Sequence, residues 1–271
     1  LKDSTVAFPF LKASACGNDF LLIEWRDVEG KIAAADVAKF SRQICDRHSG
    51  VGADGVEWIY PHAAADAEIR LINADGSEAE ISGNGTRCVA AYLSASRKQE
   101  SILLQTGAGM KKCVLSSRHG LEYEFETEMG AASVGAEFGV SLKDGGVRGI
   151  PVSMGNPHYV VFVPEFAEGW QATADAIQRS GAFERGVNVE MVVSIGRNDV
   201  QARFFERGVG ETESSGTGSC AAAVAAVSSG RAEFPVRVQA PGGTQTVSRK
   251  SDAIVLRGPA RLVCRGEFFL S

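Results

Sequence analysis

Two short stretches of this chain repeat one another at a spacing that constrains how it can fold. Ser82-Gly83-Asn84-Gly85-Thr86-Arg87-Cys88-Val89-Ala90-Ala91 resembles Ser215-Gly216-Thr217-Gly218-Ser219-Cys220-Ala221-Ala222, 133 residues further on. A second pair, Gly17-Asn18 and Gly155-Asn156, recurs 138 residues apart. Two separate motifs at nearly one spacing argue for a duplicated unit rather than a chance likeness of two Gly-rich helix starts. Each half carries a Gly-Asn turn and, later, a Ser-Gly-X-Gly turn that enters an Ala-rich helix.

The pattern between these motifs is that of an α/β chain. In the first half Val6–Leu11, Phe20–Trp25, Gly55–Tyr60, Ala67–Ile72, Ile102–Thr106 and Lys111–Leu115 read as strands. Asp36–Arg47 and Asn84–Arg97 read as helices, the second with a mostly apolar surface that predicts burial. The second half predicts strands at His158–Val163, Val187–Val193, Val200–Phe205, Val236–Ala240, Thr244–Val247 and Ile254–Leu256. Gly218–Ser228, almost all Ala and Val, reads as a helix enclosed by sheet. The acidic stretch Glu122–Glu128 alternates with Tyr123 and Phe125, which predicts a strand of the second lobe with one solvated face. A strand-like run, Arg261–Leu270, closes the chain. The expected lobes are 1–118 with a returning strand at about 258–271, and 119–257.

A length of 271 residues suits one large domain or two compact lobes with a substantial core. A net charge of −5 argues against nucleic acid, which calls for a basic face, and favours a small-molecule partner. No apolar run approaches the ~20 residues of a membrane helix. No basic-then-apolar leader opens the sequence, although Leu1 is not a start Met and leaves a removed segment open. The six cysteines are scattered without a C-x-x-C pair or a neighbouring His cluster. Buried free thiols, no zinc site and a cytoplasmic location are therefore expected.

The paired turns suggest what the chain can bind. A helix start presents unpaired N–H groups and a partial positive charge, and glycines let a ligand approach that backbone. Such an end suits a carboxylate. Two helix starts facing each other would grip one carboxylate from both sides, with Ser82 and Ser215 flanking the ligand. That is the geometry for removing a proton from one face of a carbon and delivering one to the other. Phosphate binding ranks lower, because neither turn has the Lys of a P-loop or three-Gly dinucleotide spacing.

Further motifs give the chain a family resemblance. Gly17-Asn18-Asp19-Phe20, Asn73-Ala74-Asp75-Gly76-Ser77-Glu78, Gly83-Asn84-Gly85-Thr86-Arg87-Cys88, Gly155-Asn156-Pro157-His158, Gly186-Val187-Asn188 and Glu206-Arg207-Gly208-Val209-Gly210-Glu211-Thr212 resemble diaminopimelate epimerases, in the family's order. The resemblance implies two similar pseudo-symmetric lobes, each a mostly antiparallel sheet wrapped around a central helix. It implies two-base epimerisation of LL- to meso-diaminopimelate, in lysine and peptidoglycan-precursor synthesis, with no cofactor and no metal. A homodimer is implied by the resemblance alone. Carried over, Asn18, Asn73, Asn156, Asn188 and Arg207 would bind substrate, and Gly83, Asn84, Gly216 and Thr217 would offer donors. Glu206 would contact the substrate amine, and His158 and Glu206 would tune the two bases.

Ser82 and Ser215 stand where the family has its two catalytic cysteines. A thiol pKa of about 8.5 can fall by several units at a helix start, whereas a serine hydroxyl is a far weaker acid and needs an adjacent base. His158 could serve one serine, and no second His is an obvious partner for the other. Cys88 and Cys220 lie along the helices and read as core residues. Three readings stay open: a double Cys-to-Ser variant, a relative with a different substrate and non-thiol chemistry, or a binding protein without catalysis. Some family members have a substrate-contacting Gln where Gly55 stands, so that contact would be absent. Lys12 reads as a solvated lysine rather than a Schiff-base residue, and Asp19 and Asp54 as turn residues. His48, His62 and His119 carry no evident chemistry.

Overall fold

The computed structural model describes residues 6–143 and 145–270. The expected lobe ranges include residues 1–5, 144 and 271, which lie outside the described residues. The chain forms two compact units, Leu1–Thr127 with Pro259–Ser271, and Glu128–Gly258.

The first unit opens with strands β1 (Val6–Ala15) and β2 (Asn18–Glu24), followed by α1 (Trp25–Val28), a 3-10 turn at Ala34–Asp36 and α2 (Val37–Cys45). Then come β3 (Gly55–Tyr60), β4 (Ala67–Asn73), β5 (Glu78–Ala79), α3 (Gly83–Arg97), β6 (Ser101–Thr106), β7 (Gly109–His119) and β8 (Glu122–Ala131). β1 and β2 are antiparallel, β2 and β3 parallel, and β3, β4 and β5 antiparallel in turn. β4 meets β6 in parallel, and β6–β7–β8 is an antiparallel meander.

The second unit begins with β9 (Ser133–Val134) and β10 (Phe138–Leu142) and then repeats that plan. Its elements are β11 (Gly145–Ser153), β12 (Pro157–Phe162), α4 (Trp170–Arg179), β13 (Asn188–Gly196), β14 (Asp199–Glu206), β15 (Gly210–Thr212), α5 (Gly216–Ser228), β16 (Val236–Ala240), β17 (Gly243–Lys250) and β18 (Ala253–Leu270). β11–β12 is antiparallel, β12–β13 parallel, β13–β14–β15 antiparallel, β14–β16 parallel and β16–β17–β18 antiparallel. Each of the first-unit pairings just named has its counterpart in the second.

In each unit the strands enclose a helix. α3 is buried among side chains from all sides, including Ala13, Phe20, Leu22, Ile59, Leu71, Leu104, Phe125 and Leu262. α5 is enclosed by Val152, Val160, Val192, Phe204, Val238, Val247 and Leu256. Because α5 is surrounded, its sequence has no polar face, and Ala221, Ala222, Ala223, Ala225 and Ala226 are fully buried. The outer faces of the first strands carry smaller cores, Val56 and Trp58 against Phe40 and Ile44 of α2, and Tyr159 and Met191 against Ala174 and Ile177 of α4.

Several expectations shift. α2 stops at Cys45 rather than Arg47, because Asp46 Oδ1 accepts from the N–H of His48 at 2.9 Å and of Ser49 at 2.6 Å. That Asx turn competes with helix continuation. The amphipathic helix α4 escapes the sequence reading because its N-cap is Gly169 in the left-handed region, with no side-chain cap to announce it. The first break falls in β8 rather than at residue 118. Tyr123 and Phe125 complete the core around α3, so the acidic strand belongs to the first unit as far as Thr127. Ile254–Leu256 and Arg261–Leu270 are one strand, β18, whose Ala253–Arg257 segment pairs with β17 and whose Arg261–Leu270 segment pairs with β1. Pro259 lies between those two ladders, where its missing N–H breaks neither. Among the described residues no helix is long and apolar enough to cross a membrane. The cysteines form no disulfide and five of the six are buried, with Cys264 exposed.

Enclosure predicts intolerance of added volume. Ala223→Leu, at a fully buried α5 position, should lower unfolding free energy by about 1–3 kcal/mol, read as a lower urea midpoint with unchanged slope.

Candidate active site

Each unit builds a half-site at the start of its enclosed helix. Ser82 caps α3 from an extended conformation, and its Oγ accepts from the N–H of Gly85 at 3.1 Å. Ser215 caps α5 in the same way, accepting from Gly218 at 3.2 Å. Gly83, Gly216 and Thr217 occupy the first turns, half-buried, with Asn84 buried beside Gly83. The cap leaves the other first-turn N–H groups available.

In the first unit the Gly-Asn turn delivers an amide to this helix start. Gly17 has φ +86°, which releases Asn18 into β2. Asn84 Nδ2 donates to Asn18 Oδ1 at 2.7 Å, and Asn18 Nδ2 donates to Asp54 Oδ2 at 3.1 Å. Arg87, buried in α3, donates to Asn84 Oδ1 and to the carbonyl of Pro259 at 3.1 Å. Asp19 and Asp54 exchange backbone N–H bonds and share Arg47. Burial works against ionisation of Asp19, yet Arg47 and Lys12 hold its carboxyl below the usual range. Lys12 is therefore an ion-pair partner of Asp19 at 2.8 Å rather than a solvated lysine. Asp54 does its expected turn duty and also orients Asn18. Asn73 ends β4 directly across from Gly55, its amide donating to Ser77 Oγ at 3.0 Å.

Gly55 leaves no room for a longer residue. A Cβ there would lie 2.9 Å from the Ile72 carbonyl oxygen and from Leu71 Cδ1.

In the second unit Gly155 has φ +94° and Asn156 follows it. Asn156 Nδ2 donates to Thr217 Oγ1 at 3.4 Å, repeating the Asn18–Asn84 contact. His158 is fully buried, with Nε2 3.0 Å from Asn156 Oδ1 and Nδ1 2.7 Å from Glu190 Oε1. Since the Asn156 oxygen can only accept, His158 Nε2 carries a proton. One further proton then lies between Nδ1 and Glu190. Both ring nitrogens are thus occupied, and the only hydrogen bond of the Ser215 hydroxyl among the described residues is its own helix cap. The sequence expectation that His158 serves a serine directly is not met by a hydrogen bond in this structure.

Asn188 sits opposite His158 in the parallel ladder, donating to the Pro157 carbonyl at 3.0 Å and accepting from the Arg207 N–H at 3.0 Å. The Arg207 guanidinium donates to the Arg185 carbonyl at 2.6 Å and passes over Gly186, where a Cβ would strike Arg207 Cδ at 2.6 Å. Glu206 ends β14 and lies close enough to Glu190 to raise its proton affinity.

Sequence reasoning missed two buried carboxyls, Glu57 and Glu190, each 1% exposed. They too are 133 residues apart, the same spacing as the serines, so the repeat contained the signal. Registers agree: Phe20 pairs Gly55 and Leu22 pairs Glu57, as His158 pairs Asn188 and Val160 pairs Glu190. Each carboxyl sits under the second glycine of its turn. A Cβ on Gly85 would collide with Glu57 Oε1, and one on Gly218 would come 3.0 Å from Glu190 Oε1. Glycine is required there by side-chain packing.

The units differ at the next position. Where His158 meets Glu190, the first unit has Phe20. Both oxygens of Glu57 therefore lack a hydrogen-bond partner among the described residues. Burial alone pushes its carboxyl up to about 8. Burial also raises Glu190, with His158 opposing the shift. Among the described residues no group of three or more His, Cys, Asp or Glu is placed to hold a metal ion.

Comparison with known proteins shows the family and the fold. The family model for diaminopimelate epimerase matches residues 10–134 and 150–263. A diaminopimelate epimerase of Elusimicrobium minutum is 35% identical over 278 residues, covering 96% of this chain and 98% of the relative. One of Pelotomaculum thermopropionicum is 36% identical over 276 residues, with the same coverage. Solved structures share the fold at low identity. A phenazine biosynthesis protein of the PhzF family from Bacillus anthracis has a TM-score of 0.70 at 15% identity, covering 97% of this chain and 99% of that one. A hydroxyproline epimerase from Agrobacterium vitis has a TM-score of 0.67 at 18% identity, covering 97% and 93%.

The carboxyls predict two stability signatures. Glu57 holds its proton more tightly folded than unfolded, so stability is lost as pH rises from about 4.5 to about 8. Glu57→Gln should remove that slope, on the order of 5 kcal/mol between those limits, in urea titrations across pH. His158→Phe, which copies Phe20, should strand Glu190 and cost about 3–5 kcal/mol at neutral pH, read the same way.

Proposed function

Because the chain belongs to the diaminopimelate epimerase family, we propose that it interconverts LL- and meso-diaminopimelate by proton transfer at the α-carbon, without a cofactor. The observation that carries this reading is the pair of serine-capped helix starts, each with its first-turn glycine open and an amide from its Gly-Asn turn beside it. The first-turn N–H groups at Gly83 and Asn84 in one unit, and at Gly216 and Thr217 in the other, are the donors for the substrate carboxylate. Asn18, Asn73, Asn156, Asn188 and Arg207 hold the distal amino-acid head, and Glu206 meets an amine. One serine, as the alkoxide after releasing its own proton to solvent, takes the α-proton as the C–H bond breaks and becomes a hydroxyl, while the other serine gives its hydroxyl proton to the opposite face of the carbanion and is left as the alkoxide. His158 and Glu206 tune the second half-site in opposite directions, Glu206 raising the proton affinity of Glu190 and His158 lowering it. The reaction serves lysine and peptidoglycan-precursor synthesis in the cytoplasm.

A second reading, ligand binding without turnover, is favoured by one observation. Each serine oxygen caps its own helix, and neither side chain is hydrogen-bonded to an imidazole or a carboxylate among the described residues. An unassisted serine is a weak base.

Exchange of the α-proton in heavy water, with LL- and meso-diaminopimelate, tests both. The epimerase reading expects slow exchange by this chain and a gain of about 10²-fold or more in the Ser82→Cys, Ser215→Cys double variant. Exchange by the double variant alone supports the binding reading for this chain. Exchange by neither protein rules out diaminopimelate as substrate.

A further inference from the structure

Glu57 is the buried titratable group that the proposed chemistry leaves without a task, and its position gives it one. Its carboxyl lies directly beneath Gly85, within the first turn of α3. That turn supplies the N–H groups expected to hold the substrate carboxylate. The attraction of a helix start for an anion rests on a partial charge of about half a unit. The buried Arg87 guanidinium, whose Nη1 reaches to 4.0 Å from a Cβ placed on Gly83, adds to it; a full negative charge under the same turn, shielded from water, would oppose both.

We propose that Glu57 is a positioning residue of the Ser82 half-site: its carboxyl, seated against Gly85, admits an anionic group at the start of α3 while it carries its proton and rejects one when the proton is lost. The inference rests on the reading of the α3 start as a carboxylate site.

The surroundings leave this role to Glu57 alone. β2 and β4 present Leu22 and Leu71 beside it. On α3 the titratable neighbour is Cys88, which burial keeps as a thiol. Arg87, also on α3, directs its guanidinium to Asn84, Pro259 and Cys16. α1 and α2 pack on the opposite face of β3, against Val56 and Trp58. No donor reaches either Glu57 oxygen among the described residues, so no fixed cation there holds the carboxylate form in place. The second half-site is built differently. Glu190 occupies the matching place under Gly218, but His158 is hydrogen-bonded to it at 2.7 Å, so any negative charge there is balanced locally. Loss of the Glu57 proton therefore disables one half-site and leaves the other intact.

The test has two arms, each with the unaltered chain, Glu57→Gln and Glu57→Leu. In the first, meso-diaminopimelate affinity is measured by calorimetry from about pH 6.5 to about pH 9.5. The unaltered chain should lose affinity roughly tenfold or more across that range relative to Glu57→Gln. The ligand's own amines titrate equally in both, so the ratio isolates Glu57. Glu57→Leu should behave as Glu57→Gln does and guards against a folding defect in one variant. In the second arm, the Gly85 amide resonance is followed against pH in the ligand-free protein. It should show a step near pH 8 that both variants lack. A parallel loss of affinity in the unaltered chain and the variants overturns the inference, as does a Gly85 amide that does not titrate. If diaminopimelate binds none of the proteins at any pH, the substrate reading fails. The Gly85 titration still decides whether Glu57 charges the helix start.

Discussion

Enclosing an entire helix within strands is the constraint from which the rest of each unit follows. A helix enclosed along its sides is open only at its first turn, where Ser82, Gly83, Gly216 and Thr217 are half-buried, so its leading N–H groups can be met by a cap or by a bound ligand. Ser82 and Ser215 satisfy one donor each, and the glycines beside them keep the remaining backbone accessible. The small side chains of α5 follow from the same enclosure, since Val192, Phe204 and Val238 close on it from several strands.

Beneath each helix start the two units place a carboxyl and then treat it differently. Glu190 meets His158, whereas the strand partners of Glu57 are the apolar Leu22 and Leu71. One substitution of aromatic type, Phe20 for His158 at matched registers, separates a hydrogen-bonded pair from a lone buried acid. The duplicated architecture thereby yields two half-sites of unlike electrostatics from one plan. The serines keep the geometry of helix caps. A serine hydroxyl is a weak acid and needs an adjacent base to ionise.

Much of this layout is legible in the amino-acid sequence. The repeat announces two units, the Ala-rich composition of Gly218–Ser228 announces an enclosed helix, and the Gly-Asn and Ser-Gly-X-Gly motifs locate the candidate residues. The misses have local causes. α4 lacks a capping side chain, and α2 is stopped by an Asx turn that its period does not reveal. β8 changes units because its aromatic residues fill the core around α3. Glu57 escapes notice because a single Glu in the apolar run Gly55–Tyr60 looks like an ordinary solvent-facing strand residue.

By itself the sequence determined the duplication, the identity of the two enclosed helices and the chemistry on hand at their starts. Those properties depend on period, spacing and residue type, which are local. Only the tertiary structure decided which groups are partnered. Strand register sets Phe20 and His158 at equivalent places, turns Glu57 and Glu190 under Gly85 and Gly218, and leaves Glu57 without a donor among the described residues. Hydrogen bonding and desolvation depend on what lies within a few ångströms in space, and segments far apart in the chain supply those neighbours.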